Sequence, residues 1–377
     1  MKTSAALSSV TRRRFIGNMV IGSGALLLPD WSRAIEPPLP SKKIGVALAG
    51  LGGYSTHQLG PALRQTKRCR LAGVVTGDRA KGKEWAHDYG FPEKNIFSYD
   101  TMGRLAESPD IDVVYVVTPN GLHAEHTIAA AKSGKHVICE KPMAISVAEC
   151  DAMIAACKSA GVRLMIGYRL HFEPNTIELT RLAHDKDLGI FMRIDAANGF
   201  RMRSPKSAGN WRADKKLAGG GPLMDMGVYV IQAACMAKVE AAPVSIRASF
   251  GPVTRPEIFS EIEESVKWEA EFSDGAKASC LATYAENVSR FRVESDTGWA
   301  QLGPPAFYYD TPVLTTSRGR VRKPSVNQQA AQLDGMALEL LTGSPSLAPG
   351  EMGRRDLAII EAIYAAAKSG ERTLVKA

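Results

Sequence analysis

The sequence predicts an α/β protein in two parts: an amino-terminal doubly wound parallel sheet, then an α+β region on an open, mostly antiparallel sheet. Three observations predict it. Short apolar runs alternate with helical stretches over residues 43–166. A glycine turn, Gly50 to Ser55, directly follows the first apolar run. Further on, residues 266–272 and 276–284 alternate apolar and polar side chains around Ser273-Asp274-Gly275, the pattern of a hairpin with an Asp-Gly turn.

The first run, Ile44–Ala49, is short and wholly apolar, which suits a strand covered on both faces. Residues 71–76, 113–118, 136–139 and 163–166 repeat the theme. Between them, residues 56–65, 80–89, 123–133 and 147–160 read as helices, with Gly134 and Gly161 where two of them should stop. Alternation of this kind places parallel strands in one sheet with helices on both faces. The last helix is expected at about 354–369, with Leu357, Ile360, Ile363, Tyr364 and Ala367 on an apolar stripe ahead of Gly370.

Residues 1–34 read as an export segment. Arg12 and Arg13 precede an apolar run diluted by Gly17, Gly22 and Gly24. That run is too short and glycine-rich for a membrane span, and it resembles a twin-arginine signal, the route for proteins exported already folded. The expected location is the periplasm, with the twin-arginine machinery as a partner. Residues 35–42, with Pro37, Pro38 and Pro40, form a short stiff arm. Residues 43–166 would be a dinucleotide-binding domain and residues 167–377 a domain for substrate and oligomerisation. The chain carries 47 Lys+Arg against 39 Asp+Glu, and residues 1–34 hold five of the former and one of the latter, leaving 42 against 38. The basic balance is thus largely the signal's, and argues for neither nucleic acid nor membrane binding. The six cysteines show no ligand spacing and are expected as buried thiols rather than bridges; no metal site is evident.

The chemistry is expected at the strand ends. Glycines after the first strand let Gly50, Leu51, Gly52, Gly53 and Tyr54 bring backbone close to a pyrophosphate, with the next helix's amino end facing the anion. Ser55 stands where the third glycine of that fingerprint usually falls. Thr76 ends the second strand, and Arg79, Lys81 and Lys83 follow; a hydroxyl with cations suits a 2′-phosphate, so NADP is favoured, with Asp78 an alternative ligand for a ribose. Thr118, Pro119 and Asn120 lie at another carboxyl end and should line the cofactor. His123 opens the next helix and is either a site residue or a structural one. Glu140-Lys141-Pro142 follows the strand expected at 136–139; a lysine there polarises a hydroxyl or lowers a neighbour's pKa. Gly219-Gly220-Gly221 leads into a helix on which Asp225 and Tyr229, four apart, share a face.

Together the glycine turn, Glu140-Lys141-Pro142, Gly167-Tyr168-Arg169, Trp211-Arg212, the stretch from Gly219 to Tyr229, and Ala330-Ala331-Gln332-Leu333-Asp334 resemble the glucose–fructose oxidoreductase / inositol dehydrogenase (Gfo/Idh/MocA) family. The resemblance implies an oxidoreductase with tightly bound NADP that oxidises an aldose at C1 to a lactone and reduces a second sugar to an alditol, as a dimer or tetramer. It implies Lys141, before a cis bond to Pro142, beside the nicotinamide; Tyr229 as acid/base; Asp225, Tyr168 and Arg212 around the sugar; and Thr76, Lys81, His123, Glu140 and Arg169 with the cofactor. Two alternatives stay open: an exported glycosidase using bound NAD, and a cofactor-binding sensor without turnover.

Overall fold

The structure, a computed structural model, describes residues 43–309 and 312–376. The expected export segment and arm lie outside the described residues. Six parallel strands form the first sheet, in the order β3-β2-β1-β4-β5-β6: β1 Ile44–Ala49, β2 Cys69–Val75, β3 Ile96–Phe97, β4 Val113–Val116, β5 His136–Cys139 and β6 Leu164–Ile166. Their side chains are almost wholly buried, as the apolar runs require. The order reverses between β1 and β4, so their carboxyl ends open a crevice at the switch point. Helices α1 (Gly60–Leu63), α2 (Arg79–Tyr89), α3 (His123–Lys132) and α4 (Val147–Ser159) follow in turn. Gly90, Gly134 and Gly161 take left-handed conformations after α2, α3 and α4.

The expected helix over 56–65 is interrupted. A π-helical turn, Ser55–Leu59, precedes the short α1, because Pro61 lacks the N–H that would continue the α ladder. The two-residue β3 and the 3₁₀ stretch Tyr99–Glu107 were not expected; both are too short or too polar to show a period.

The second sheet has nine strands, ordered β14-β13-β12-β11-β7-β10-β9-β8-β15. These are β7 Arg193–Gly199, β8 Ser245–Phe250, β9 Ser265–Glu271, β10 Lys277–Thr283, β11 Val288–Glu294, β12 Trp299–Leu302, β13 Leu314–Thr316, β14 Gly319–Arg320 and β15 Thr373–Leu374. All neighbours are antiparallel except β7 with β10. The expected hairpin is β9–β10, with Glu271 opposite Lys277 and Gly275 at φ +84°. Around this sheet run α5 (Pro174–His184), α6 (Lys215–Ala218), α7 (Val228–Ala237), α8 (Gln328–Thr342) and α9 (Gly350–Ser369).

The last helix begins four residues earlier than its apolar stripe suggests. Pro349 supplies the extended residue before it, and Gly350 and Gly353 fit because Leu164 and Met143 press on them. The carboxyl-terminal segment also returns to the first sheet. Ile166 donates its N–H to Ala348 O at 2.8 Å, Met165 bridges Pro349, and α9 packs on α4. A boundary at residue 166 therefore separates strands but not packing.

Candidate active site

The glycine turn leaves β1 with Gly50 at φ +104°, where an added Cβ would lie 2.9 Å from the Val117 carbonyl. Only glycine takes this bend cheaply. Ser55 is fully buried, and its Oγ donates to Gly50 O at 2.6 Å, so the residue in the third glycine's place closes the turn. At Gly52 and Gly53 an added Cβ would meet nothing nearer than His57, at 3.9 Å. That open face, at a helix amino end, is the room and polarity a pyrophosphate needs, and the residues fit a dinucleotide.

Around the turn, Lys81 stretches its Nζ to Leu51 O at 2.5 Å. Asp78 is the N-cap of α2, accepting from Lys81 N at 3.0 Å, while Thr76 Oγ1 accepts from Asp78 N at 3.1 Å. Asp78 is thus engaged in holding its own helix, and Lys83 pairs with Glu93 at 3.3 Å. Lys81 reaches the turn; Thr76 stays at the end of β2, its hydroxyl on the Asp78 N–H.

On the other side of the crevice, Lys141 lies two residues past β5 and Asp225 rides a π-helical turn, Leu223–Gly227, before α7. Such turns are rare and recur at functional sites. Glu263 anchors this one: it accepts from Gly221 N at 2.9 Å, Leu223 N at 3.2 Å and Tyr364 OH at 2.9 Å. Lys141 Nζ donates to Asp225 O at 2.8 Å and to Asp225 Oδ1 at 3.1 Å. Asp225 Oδ2 accepts from Arg212 Nε at 2.8 Å and Tyr284 OH at 3.0 Å. Lys141 Nζ also stands 4.6 Å from the centroid of the Tyr229 ring, and the Arg169 guanidinium stands 5.0 Å from it. The Lys141–Pro142 bond is cis, as the resemblance implies.

These contacts fix the charges. Burial opposes the Lys141 ammonium, but Tyr229, Asp225 and Glu140 outweigh it and lift its pKa to about 12. Burial likewise opposes the Asp225 carboxylate, but Arg212 and Lys141 hold its pKa well below the usual range. At neutral pH neither accepts a proton: Lys141 is a fixed cation and Asp225 a fixed anion. Burial pushes Tyr309 up to about 12, and burial with the Asp225 charge raises Tyr284, so both stay phenols. Tyr229 is the hydroxyl-bearing ring that the fixed cation covers.

The remaining expected residues divide. Glu140 lies under the crevice: its Oε1 accepts from Tyr115 OH at 2.6 Å, and Gln332 Nε2 donates to that hydroxyl at 2.8 Å. Burial raises the Glu140 pKa, against the Tyr115 hydrogen bond and Lys141. Arg169, 2% exposed, donates to Tyr308 O at 3.0 Å, to Phe307 O and to Gln328. Asn120 Nδ2 donates to Ala218 O at 2.9 Å, tying the loop after β4 to the second glycine run, and Thr118 Oγ1 meets His126 Nδ1 at 3.0 Å. Two expectations are corrected. His123 does not face the crevice; it is 1% exposed, with Nδ1 at 2.9 Å from Pro142 O and Nε2 at 2.8 Å from Thr118 O. Burial lowers its pKa to about 4 against those carbonyls, so the neutral ring gives its single N–H to one of the two and packs beneath both strand-end loops. Tyr168 is not with the Asp225 cluster, because its hydroxyl donates to buried Asp356 at 2.7 Å, behind α7.

Sequence reasoning missed Tyr284, the hydroxyl on Asp225, and Tyr309, whose ring lies 4.9 Å from the Arg169 guanidinium and 6.0 Å from the Tyr54 ring. Tyr284 ends the expected hairpin, and only the sheet's register shows that it turns inward.

A crevice at the switch point of a doubly wound sheet, lined by a glycine turn and a lysine–aspartate–tyrosine cluster, defines a dinucleotide-dependent oxidoreductase. Residues 44–168 match the oxidoreductase family with an NAD-binding Rossmann fold, and residues 176–301 match the GFO/IDH/MocA carboxyl-terminal domain. The chain belongs to the Gfo/Idh/MocA family. It is 40% identical to the aldose-aldose oxidoreductase of Caulobacter crescentus, solved with glycerol, at a TM-score of 0.84 over 88% of this chain and 100% of that one. It is 27% identical to the NADP(+)-dependent D-xylose 1-dehydrogenase of Haloarcula marismortui over 90% of this chain and 94% of the relative. The corresponding Haloferax volcanii enzyme is 28% identical over 86% and 97%.

Proposed function

We propose that the protein is an NADP-dependent sugar oxidoreductase that keeps its cofactor, oxidises an aldose at C1 to an aldonolactone and reduces a second sugar to an alditol. The observation that carries this reading is the Lys141 ammonium, held by Asp225 and covering the Tyr229 ring at 4.6 Å. A positioned cation beside a tyrosine hydroxyl is an arrangement in which a side chain can exchange a proton with a bound alcohol. Similarity to an aldose-aldose oxidoreductase and to two NADP(+)-dependent xylose dehydrogenases supports the sugar and the nucleotide.

When bound, the nicotinamide supplies a reversible hydride acceptor. Gly50, Leu51, Gly52, Gly53 and Tyr54 would hold the pyrophosphate, and Thr76 and Lys81 the 2′-phosphate. Tyr229 takes the proton of the C1 hydroxyl during oxidation and returns it during reduction. Lys141 steadies the sugar oxygen; it does not exchange its own proton. Asp225 orients Lys141 and Arg212 rather than offering a free carboxylate to the sugar. Free NADP should be scarce outside the cytoplasm, so regeneration in place suits an exported protein. The Arg12-Arg13 segment supports periplasmic location, and we assign a homo-oligomeric form.

The test begins with protein taken from the exported fraction and identification of its nucleotide. Adding an aldose without free nucleotide should give one equivalent of reduced-nicotinamide absorbance and no more, and a second sugar should erase it. Tyr229→Phe should slow that single turnover by about 10²–10⁴ with nucleotide still bound. Protein that emerges empty and turns over only with supplied nucleotide defeats the retained cofactor; no reduction by any aldose defeats the reaction.

A further inference from the structure

Asp225 is held from two sides, and the two sides are built separately. Lys141, on Asp225 Oδ1, comes from the loop after β5. Both donors on Oδ2, Arg212 Nε and Tyr284 OH, stand on a small apolar cluster apart from the main core. Its buried members are Met202, Ala213, Ile258, Phe259, Ile262 and Tyr284. The cluster joins the loop after β7, which carries Arg212, to the loop before β9, and Tyr284 directly follows β10 between them.

One ion pair ties the two loops together. Glu264 is 1% exposed and accepts from Arg255 Nε at 2.9 Å and Nη2 at 2.8 Å. Thr254 donates to the same carboxylate through its N–H at 2.6 Å and its Oγ1 at 2.9 Å. Burial opposes the Glu264 charge, but Thr254 and Arg255 hold its pKa below the ordinary value. The Arg255 guanidinium has two further acceptors. Nη2 donates to Tyr284 O at 2.8 Å, and Nη1 donates to Met202 O. The rest of the Tyr284 backbone is fixed as well: its N–H donates to Glu264 O at 2.9 Å, and Met202 N donates to its carbonyl at 3.0 Å. A planar guanidinium, with five donors in a rigid fork, suits such a three-way grip. Arg212, by contrast, spends only Nε on Asp225. Its terminal nitrogens donate to no group among the described residues, on a side chain that is 38% exposed.

Every group on Asp225 Oδ2 is thus mounted on backbone that Arg255 grips. We propose that Arg255 is a positioning residue for the sugar side of the site: through Met202 O and Tyr284 O it sets where Tyr284 and Arg212 meet Asp225, and so where the Arg212 terminal nitrogens meet a sugar. Arg255 itself touches neither sugar nor nucleotide. The glycine turn at Gly50 and the Lys81 side chain across it take no part in this cluster, so the device tunes sugar binding apart from nucleotide binding. The proposal rests on the reading of the protein as a sugar oxidoreductase and deepens it.

Arg255→Ala would strand the buried Glu264 carboxylate, so the experiment uses Arg255→Lys, which keeps the charge but cannot reproduce the fork that reaches both carbonyls. Thr254→Val is the control: it strips a hydroxyl from Glu264 and leaves both carbonyl contacts in place. In NADP-loaded protein the Nε–H magnetic resonance of Arg212, assigned by its loss in Arg212→Lys, should stand apart from those of solvated arginines, because it is locked on a carboxylate. Arg255→Lys should move it to the solvated position, and Thr254→Val should leave it. With any aldose that reduces the bound nucleotide, Arg255→Lys should raise the half-saturating concentration about tenfold, the loss of one charge-assisted contact. The limiting rate should stay within about twofold of the parent's, with NADP affinity unchanged. An Arg212 resonance that Arg255→Lys does not move, or equal effects from Thr254→Val, overturns the positioning role. The resonance needs no turnover, so a shift without oxidation of any aldose would break the proposed reaction and leave the positioning role standing. Oxidation of aldoses with an unmoved resonance would do the reverse.

Discussion

The molecule carries two glycine runs, each followed by a π-helical turn and then α-helix, and they do opposite work. At Gly50 to Gly53 the turn is open: added Cβ atoms at Gly52 and Gly53 would meet no protein atom nearer than 3.9 Å. At Gly219 to Gly221 the turn is filled: added Cβ atoms would collide with Ile145, with the Tyr364 hydroxyl and with the Glu263 carbonyl. The first run clears space for a ligand, and the second clears space for the protein itself. The second therefore fixes Asp225 by packing, while the first waits for something to pack against it.

The largest effect should come from the filled turn's own charge. Asp225→Asn keeps the volume but removes the anion from Lys141 and Arg212. Breaking a buried pair costs about 3–5 kcal/mol. The Arg212 side chain is 38% exposed, which places the loss toward about 3–4 kcal/mol by chemical denaturation. The pH dependence has a definite sign. The folded Asp225 carboxyl titrates below its ordinary 3.8, so its contribution is present above that pH and lost as pH falls through the folded value. Lys141 is raised from 10.5 to about 12, so its contribution is full below 10.5 and lost as pH rises toward 12. Between roughly pH 5 and 9 this pair should leave stability flat, and Asp225→Asn should lower that plateau and soften the acid limb. An unchanged acid limb would mean that Asp225 is not the anion holding the turn.

The comparison itself is tested by one methyl group placed in each turn. Gly221→Ala drives a Cβ into backbone that cannot yield, and overpacking of this kind costs about 2–3 kcal/mol. Gly52→Ala should leave the melting temperature of nucleotide-free protein nearly unchanged, within about 0.5 kcal/mol, yet weaken nucleotide binding. If Gly52→Ala unfolds the protein and Gly221→Ala does not, the two turns have been assigned the wrong way round.

The open turn was the more legible of the two in the sequence. A glycine turn between an apolar run and a helix has one common physical meaning, and the parallel sheet followed from alternation alone. The filled turn was legible only as a motif. Its meaning depends on Glu263, Tyr284 and Tyr364, which lie 38 or more positions from Asp225 along the chain and which no local period connects to it. Tyr168 shows the same limit from the other side: it stands one residue before Arg169, but the 3₁₀ turn Arg169–Phe172 sends the arginine to the crevice and leaves the tyrosine on Asp356. His123 was readable as a histidine at a helix start, but the carbonyls on both its nitrogens belong to loops that only the sheet brings together.

A smaller effect should separate the two nucleotides. Lys81 lies across the open turn, and Asp78 is committed to capping α2. Lys81→Ala should weaken NADP by about tenfold, the loss of one charge-assisted contact, while leaving NAD nearly unaffected, as read by titrating nucleotide-stripped protein. Equal losses for both would place Lys81 on the pyrophosphate instead of the 2′-phosphate.

The smallest effect belongs to Ser55, where the fingerprint departs from glycine. Its hydroxyl donates to Gly50 O at 2.6 Å from a fully buried position, so the open turn is braced from inside by a bond that a third glycine would not make. Ser55→Gly should cost about 1 kcal/mol of stability from the lost hydrogen bond, with a further contribution from backbone freedom, and should leave NADP affinity unchanged because the side chain points away from the open face. A stability loss with intact affinity separates bracing from binding within a single turn. A loss of affinity at equal stability would show instead that the open turn is held in shape for its ligand by Ser55, and that it is less independent of its interior than its empty face suggests.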